Sequence, residues 1–154
     1  MEKELMAGEV QNSGFAGFIR ASLKLPNTDI KTYSPLTLAF IGDSIFDLII
    51  RTAIVESGNA PVNKLHNRSS KLVQATAQAE LYHLIKEQLT EEETAIFKRG
   101  RNAKSFTSAK NAGIVEYRTA TGLEALFGYL YLTDQMKRIM ELIEPQLEKM
   151  VSIS

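Results

Sequence analysis

The sequence predicts an all-α domain, on three observations. Helix-opening and helix-closing residues recur along the chain, apolar residues return at spacings of three, four and seven, and strand-like alternation does not recur. With 154 residues, 44% of them hydrophobic, there is enough chain for one core and too little for two ordinary domains. Residues 1–33 read as an N-terminal extension, in which Phe15, Phe18, Ile19 and Leu23 predict a short helix stopped by Pro26. Residues 34–154 read as the domain proper. Ser34 and Pro35 are an N-cap followed by proline at the first helical position, and they open an apolar run that reaches Val55. Ser57-Gly58-Asn59-Ala60-Pro61 closes it. Residues 62–89 continue as an amphipathic helix through Leu65, Leu72, Ala75, Ala79, Tyr82 and Ile85. Thr90 and Glu93 form a capping box for a helix over 91–98, and the polar, aperiodic stretch Arg99–Asn111 reads as a loop. Two helices follow over 113–132 and 134–150, with Asp134 as N-cap of the second and Pro145 as a kink within it.

Composition narrows the function. No cysteine is present, which excludes a disulfide scaffold, thiolate metal ligands and a cysteine nucleophile. His66 and His83 are the two histidines, one short of a three-histidine zinc site. Glu2, Glu4 and Glu9 stand where an export signal would be basic, and the most apolar windows, 36–50 and 120–132, are interrupted by acid, so a cytoplasmic protein with no membrane span is expected.

The most apolar helices carry the residues that are out of place. In LTLAFIGDSIFDLII, residues 36–50, apolar side chains point almost all round the axis, yet Asp43 and Asp47 share one face. A buried carboxylate needs a partner or a cation, and Asp43 has no basic residue nearby in its run. Asp47 can pair with Arg51 four residues on. In TGLEALFGYLYL, residues 121–132, the only charge is Glu124, which fits either a capping box with Thr121 or a ligand role. Gly42 precedes Asp43 and Gly128 lies one turn beyond Glu124; glycine inside a helix implies close approach of another backbone or a ligand. Carboxylates in two core helices make an oxygen-ligand site for Mg²⁺ or Mn²⁺ the economical reading.

Net charge is zero, but charge is segregated. Lys98, Arg99, Arg101, Lys104, Lys110 and Arg118 face Glu116 alone, and Lys64, Arg68 and Lys71 lie with His66 in an acid-free stretch. Together with Asn102, Ser105, Thr107, Ser108 and Asn111, these residue types suit phosphate and sugar oxygens; a solvated loop and helix face are the plain alternative.

FIGDSIFDLIIR, residues 40–51, resembles the signature helix of the ribonuclease III family, and TGLEALFGYLYL resembles its second acidic helix. RGRNAKSFTSAKN, YRTATGLEALFGYLYL and PVNKLHNRSSKLVQATAQAE, taken together, resemble the short subclass that has the nuclease domain without a double-stranded-RNA-binding domain. The resemblance implies a homodimeric ribonuclease III-like helical bundle that uses Mg²⁺, with Mn²⁺ able to substitute, to cut double-stranded RNA. In this subclass it implies maturation of the ends of the large-subunit (23S) ribosomal RNA precursor, with a large-subunit ribosomal protein as a candidate partner. Asp43 and Glu124 fall at its metal-binding acids; Lys64, His66, Arg68, Lys71, Arg99, Arg101, Asn102, Lys104 and Lys110 are the expected RNA contacts. Full-length enzymes carry further acids where this chain has Ala39 and Thr121, so weak metal binding with more metal-bound water is expected. Two rivals are a non-catalytic helical RNA- or ribosome-binding module with a depleted metal site, and a nucleotide hydrolase using Glu141, Glu144 and Glu148.

Overall fold

A computed structural model describes residues 14–104 and 113–153, with side chains through residue 151. The described residues form seven α-helices and two short 3₁₀ turns, and no strand. In chain order the helices are α1 (Phe15–Ser22), α2 (Pro35–Glu56), α3 (Val62–Leu72), α4 (Ala75–Ile85), α5 (Glu91–Asn102), α6 (Ile114–Leu132) and α7 (Met136–Ile153). The fold is built around α6, which packs most extensively on α2 and then on α5 and α4. From Thr119 to Tyr131 only Thr121 and Glu124 of α6 escape full burial. Phe46, Phe97, Phe127, Ile50, Ile54, Leu123 and Leu126 are sealed completely around it.

Local chemistry sets several helix ends as the sequence predicts. The Ser34 hydroxyl accepts from the Leu36 amide at 3.2 Å, with Pro35 at the first helical position. Both halves of the Thr90–Glu93 capping box form, at 3.1 and 2.9 Å. Glu93 is also gripped by Arg138 from α7, with Nε to Oε2 at 2.8 Å and a terminal nitrogen to Oε1 at 2.9 Å. That pairing, foremost through its hydrogen bond, holds the Glu93 carboxyl below the usual range.

Four expectations fail. The stretch 62–89 is two helices and a 3₁₀ turn: the chain breaks at Val73–Gln74, and the buried Gln78 side chain donates to the Val73 carbonyl at 2.9 Å. The break lets α3 lie on α2 while α4 turns onto α6. The helix over 91–98 continues to Asn102, so Arg99, Arg101 and Asn102 stand on helix, where Gly100 packs against α6, rather than in a loop. Asp134 does not cap α7; it has φ 58° and accepts from the Gly17 amide at 2.9 Å, so its carboxylate serves the N-terminus of α1 across the fold. Arg20 reinforces that docking through the Leu132 carbonyl at 2.9 Å. Finally, α1 ends at Ser22, well before Pro26, with Lys24 at φ 54°. α7 continues through Pro145, whose ring is exposed. No helix among the described residues is long and apolar enough to cross a membrane.

Two glycine contacts decide how closely the central helices approach. A Cβ on Gly42 of α2 would collide with the Glu124 carbonyl of α6, and one on Gly128 of α6 would collide with the Leu38 carbonyl of α2. The two contacts make the pair antiparallel and bring main chain against main chain. On the opposite flank Gly100 of α5 meets Gly122 of α6, with 2.9 Å from such a Cβ to the Gly122 Cα.

Candidate metal centre and nucleic-acid interface

Asp43 follows the Gly42 contact directly, and Glu124 is the residue whose carbonyl Gly42 touches, so the crossing that glycine permits brings the two carboxyls together. They are close enough for a side-chain hydrogen bond between them. Glu124 is pushed up to about 9, by burial first, then by the hydrogen bond its protonated form donates to Asp43 and by the Asp43 charge. At neutral pH Glu124 therefore holds a proton in the metal-free site. The burial is distributed differently from the expectation: Asp43 is exposed, and Glu124 bears the desolvation. A continuously apolar helix is buried all round only if something covers every face, and among the described residues nothing covers the face that bears Asp43. Glu124 lies mid-helix, so the capping-box alternative falls; the Thr121 hydroxyl instead bonds the Tyr117 carbonyl at 3.0 Å. Asp47 pairs with Arg51 at 3.0 Å, and Ala39 is buried.

Among the described residues no group of three or more His, Asp or Glu side chains could hold a metal. The donor set is thus two carboxyls, which suits a hard cation such as Mg²⁺ that keeps several waters and takes one or two protein carboxylates together with substrate phosphate. A carboxyl already driven to share a proton is the one a cation would displace it from, so these residues fit the ion.

The basic candidates divide. Lys64, His66 and Lys71 are exposed on α3, and Lys104 is exposed after α5. Arg68 shares the inward side of α3 with Leu65 and Leu72; a terminal nitrogen approaches the Val151 carbonyl at 3.5 Å, and its buried Nε has no hydrogen-bond partner. Arg99 donates to the carbonyls of Lys31 and Tyr33 at 3.4 and 3.3 Å, which ties α5 to the segment entering α2. Arg101 donates from Nε to the exposed Asn102 at 3.2 Å. His83 is an exposed helix residue set edge-on to Tyr82. Lys110, Ser105, Thr107, Ser108 and Asn111 lie outside the described residues.

The ribonuclease III domain family matches residues 36–135, which span both carboxylate helices. A curated "Mini-ribonuclease 3" of a Thermoanaerobacter species is 44% identical over 144 residues, covering 94% of each chain. Another, from Enterococcus faecalis, is 50% identical over 117 residues, 75% of this chain and 89% of the relative. The chain belongs to the ribonuclease III family, in its Mini-ribonuclease 3 group. It is an endoribonuclease. A crystal structure of a Fusobacterium nucleatum protein has a TM-score of 0.72 and 34% identity, covering 80% of this chain and 98% of that one. Within this Mini-ribonuclease 3 fold, sequence reasoning missed the inward turn of Arg68 and the bonds by which the exposed Arg99 ties back to main-chain carbonyls. The signal for Arg68 was its register with Leu65 and Leu72; nothing local marked Arg99, whose partners lie more than sixty residues away.

Proposed function

We propose that the chain is a Mg²⁺-dependent endoribonuclease of double-stranded RNA, with Mn²⁺ able to replace Mg²⁺, and with Asp43 and Glu124 as its catalytic metal ligands. The observation that carries this is the meeting of those two carboxyls from distant parts of the chain, with Glu124 raised to about 9. Bound there, the ion would supply charge neutralisation at the phosphate and acidification of a water. The chain's own part is to give up the Glu124 proton, to fix two oxygens at the α2–α6 crossing, and to neutralise flanking phosphates. Lys64, His66, Lys71, Arg101, Asn102, Lys104 and Lys110 are the proposed RNA contacts. Arg68 and Arg99, expected among them, are better supported as internal ties. Such contacts favour recognition of A-form shape and 2′-hydroxyls over base sequence. The substrate proposed is the 23S ribosomal RNA precursor, cut near its 5′ and 3′ ends in the cytoplasm, with a large-subunit ribosomal protein as a candidate accessory.

The test is incubation with a long RNA duplex and with precursor RNA, in Mg²⁺ or in EDTA. Fragments that need Mg²⁺ are expected; binding without cutting would favour the non-catalytic module, and nucleotide turnover alone the nucleotide hydrolase.

A homodimer is part of the proposal. Phe40 is 80% exposed, and Leu36, Leu48 and Val55 are exposed along the same outer half of α2. Large apolar stripes of this kind mark association surfaces. A two-fold axis there would set two sites against opposite strands of one duplex. Sedimentation should give a dimer for the native chain and a monomer for Phe40→Asp; a native monomer at micromolar concentration would remove this part.

A further inference from the structure

Tyr82 of α4 and Phe97 of α5 stack with ring centroids 3.8 Å apart and planes 8° from parallel. Phe97 is completely buried and packs against α6: a Cβ on Gly122 would lie 2.7 Å from two of its ring carbons. One turn along α5 the Arg101 guanidinium sits 5.8 Å from the Phe97 centroid. A guanidinium at that range is attracted to the ring. Its Nε is meanwhile spent on Asn102, one of five N–H donors. Burial raises the Tyr82 hydroxyl above its usual range, and the charge of Arg101 pulls it partly back. Tyr82 of α4, Phe97 of α5 and the Arg101 cation thus form one cluster, anchored to α6 at Gly122.

We propose that Tyr82 and Phe97 are positioning residues that hold the Arg101 guanidinium for an RNA phosphate. The inference rests on the reading of Arg101 as an RNA contact. Its physical content is preorganisation: an arginine already fixed over a ring loses less conformational freedom on meeting a phosphate than one that is free to rotate. Phe97 cannot touch RNA itself, and the Tyr82 side chain is only partly exposed, so neither needs to contact substrate to act. Arg68 and Arg99 differ, since Arg99 spends both terminal nitrogens, and Arg68 one, on main-chain carbonyls of its own chain.

The experiment measures the affinity of the full chain for a blunt RNA duplex in EDTA as a function of salt. Arg101→Gln should weaken binding and reduce the log–log salt slope by about one. Tyr82→Leu removes the ring that stacks on Phe97 beneath Arg101, and should weaken binding by up to about two- to five-fold, the size of the exposed Arg101–Phe97 attraction it supports. Tyr82→Phe should restore it, and Tyr82→Leu should add nothing once Arg101 is Gln. Arg101→Lys leaves the packed rings untouched, keeps the charge and the slope, and should bind as weakly as Tyr82→Leu. An unchanged slope in Arg101→Gln would overturn the RNA reading of Arg101. A reduced slope there, with Tyr82→Leu costing the same in both backgrounds or Arg101→Lys binding like the native chain, would overturn the positioning inference alone.

Discussion

Asp43→Asn is expected to lower the rate of duplex RNA cleavage by about a thousand-fold or more, roughly 4 kcal/mol of transition-state stabilisation, while fold and RNA binding persist. The exposed side chain contributes little packing, so loss of activity should not be accompanied by a lower melting temperature. Glu124→Gln should lose activity to the same extent and yet gain stability, and pH separates the two effects. Glu124 has a folded-state value near 9 against an ordinary 4.5, so the folded chain holds a proton that the unfolded chain has lost between those values. The Glu124 contribution to native stability in EDTA is therefore fully present below about pH 4.5 and is lost as pH rises towards 9. Gln cannot ionise and does not incur that loss, so relative to pH 4.5 the variant should gain on the native chain by several kcal/mol at pH 9, with about 6 kcal/mol as the upper bound. Mg²⁺ should narrow the gap by stabilising only the native chain. Melting curves at pH 5 and pH 9, with and without Mg²⁺, read this directly. A native chain whose melting temperature does not fall on that pH rise would disprove the shared-proton site, and undiminished cleavage by Asp43→Asn would disprove the ligand assignment.

Gly42→Ala tests the scaffold of the same site. The added methyl meets the Glu124 carbonyl, which cannot swing aside as a flexible side chain could, so α2 and α6 must separate. Overpacking of this kind costs about 1–3 kcal/mol, and a main-chain obstacle places Gly42→Ala at the upper end. The separation also pulls Asp43 from Glu124, and a displacement of about 1 Å at a reacting centre costs about a hundred-fold in rate. Gly128→Ala should behave alike through the Leu38 carbonyl. Thermal melting together with cleavage rates at saturating RNA checks it: stable, fully active Gly42→Ala and Gly128→Ala enzymes would show that the close crossing does not set the site.

What was legible in the sequence was legible for local reasons. The Ser34-Pro35 start of α2 and the Thr90–Glu93 capping box depend on atoms within a turn of one another, and both form. Asp43, Glu124, Gly42 and Gly128 stood out because charge or glycine inside an apolar helix is costly and has to be compensated. The failures were equally particular. Polar composition made Arg99–Asn102 look like loop, although Gly100 is there to pack on α6. The break at Val73–Gln74 carries neither proline nor glycine and exists because α3 and α4 answer to different neighbours. Asp134 has a cap-forming side chain, but the helix it caps begins more than a hundred residues earlier.

By itself, then, the sequence determined that the chain is helical, where its costly residues lie and what chemistry two carboxylates could serve, since helix propensity, capping and burial cost act over a few residues. Only the tertiary structure decided that Asp43 and Glu124 meet, that Glu124 is buried while Asp43 is exposed, and which arginines tie back to main-chain carbonyls. Those outcomes depend on how closely two helices cross and on which carbonyl lies opposite each guanidinium, quantities set by packing between segments far apart in the chain.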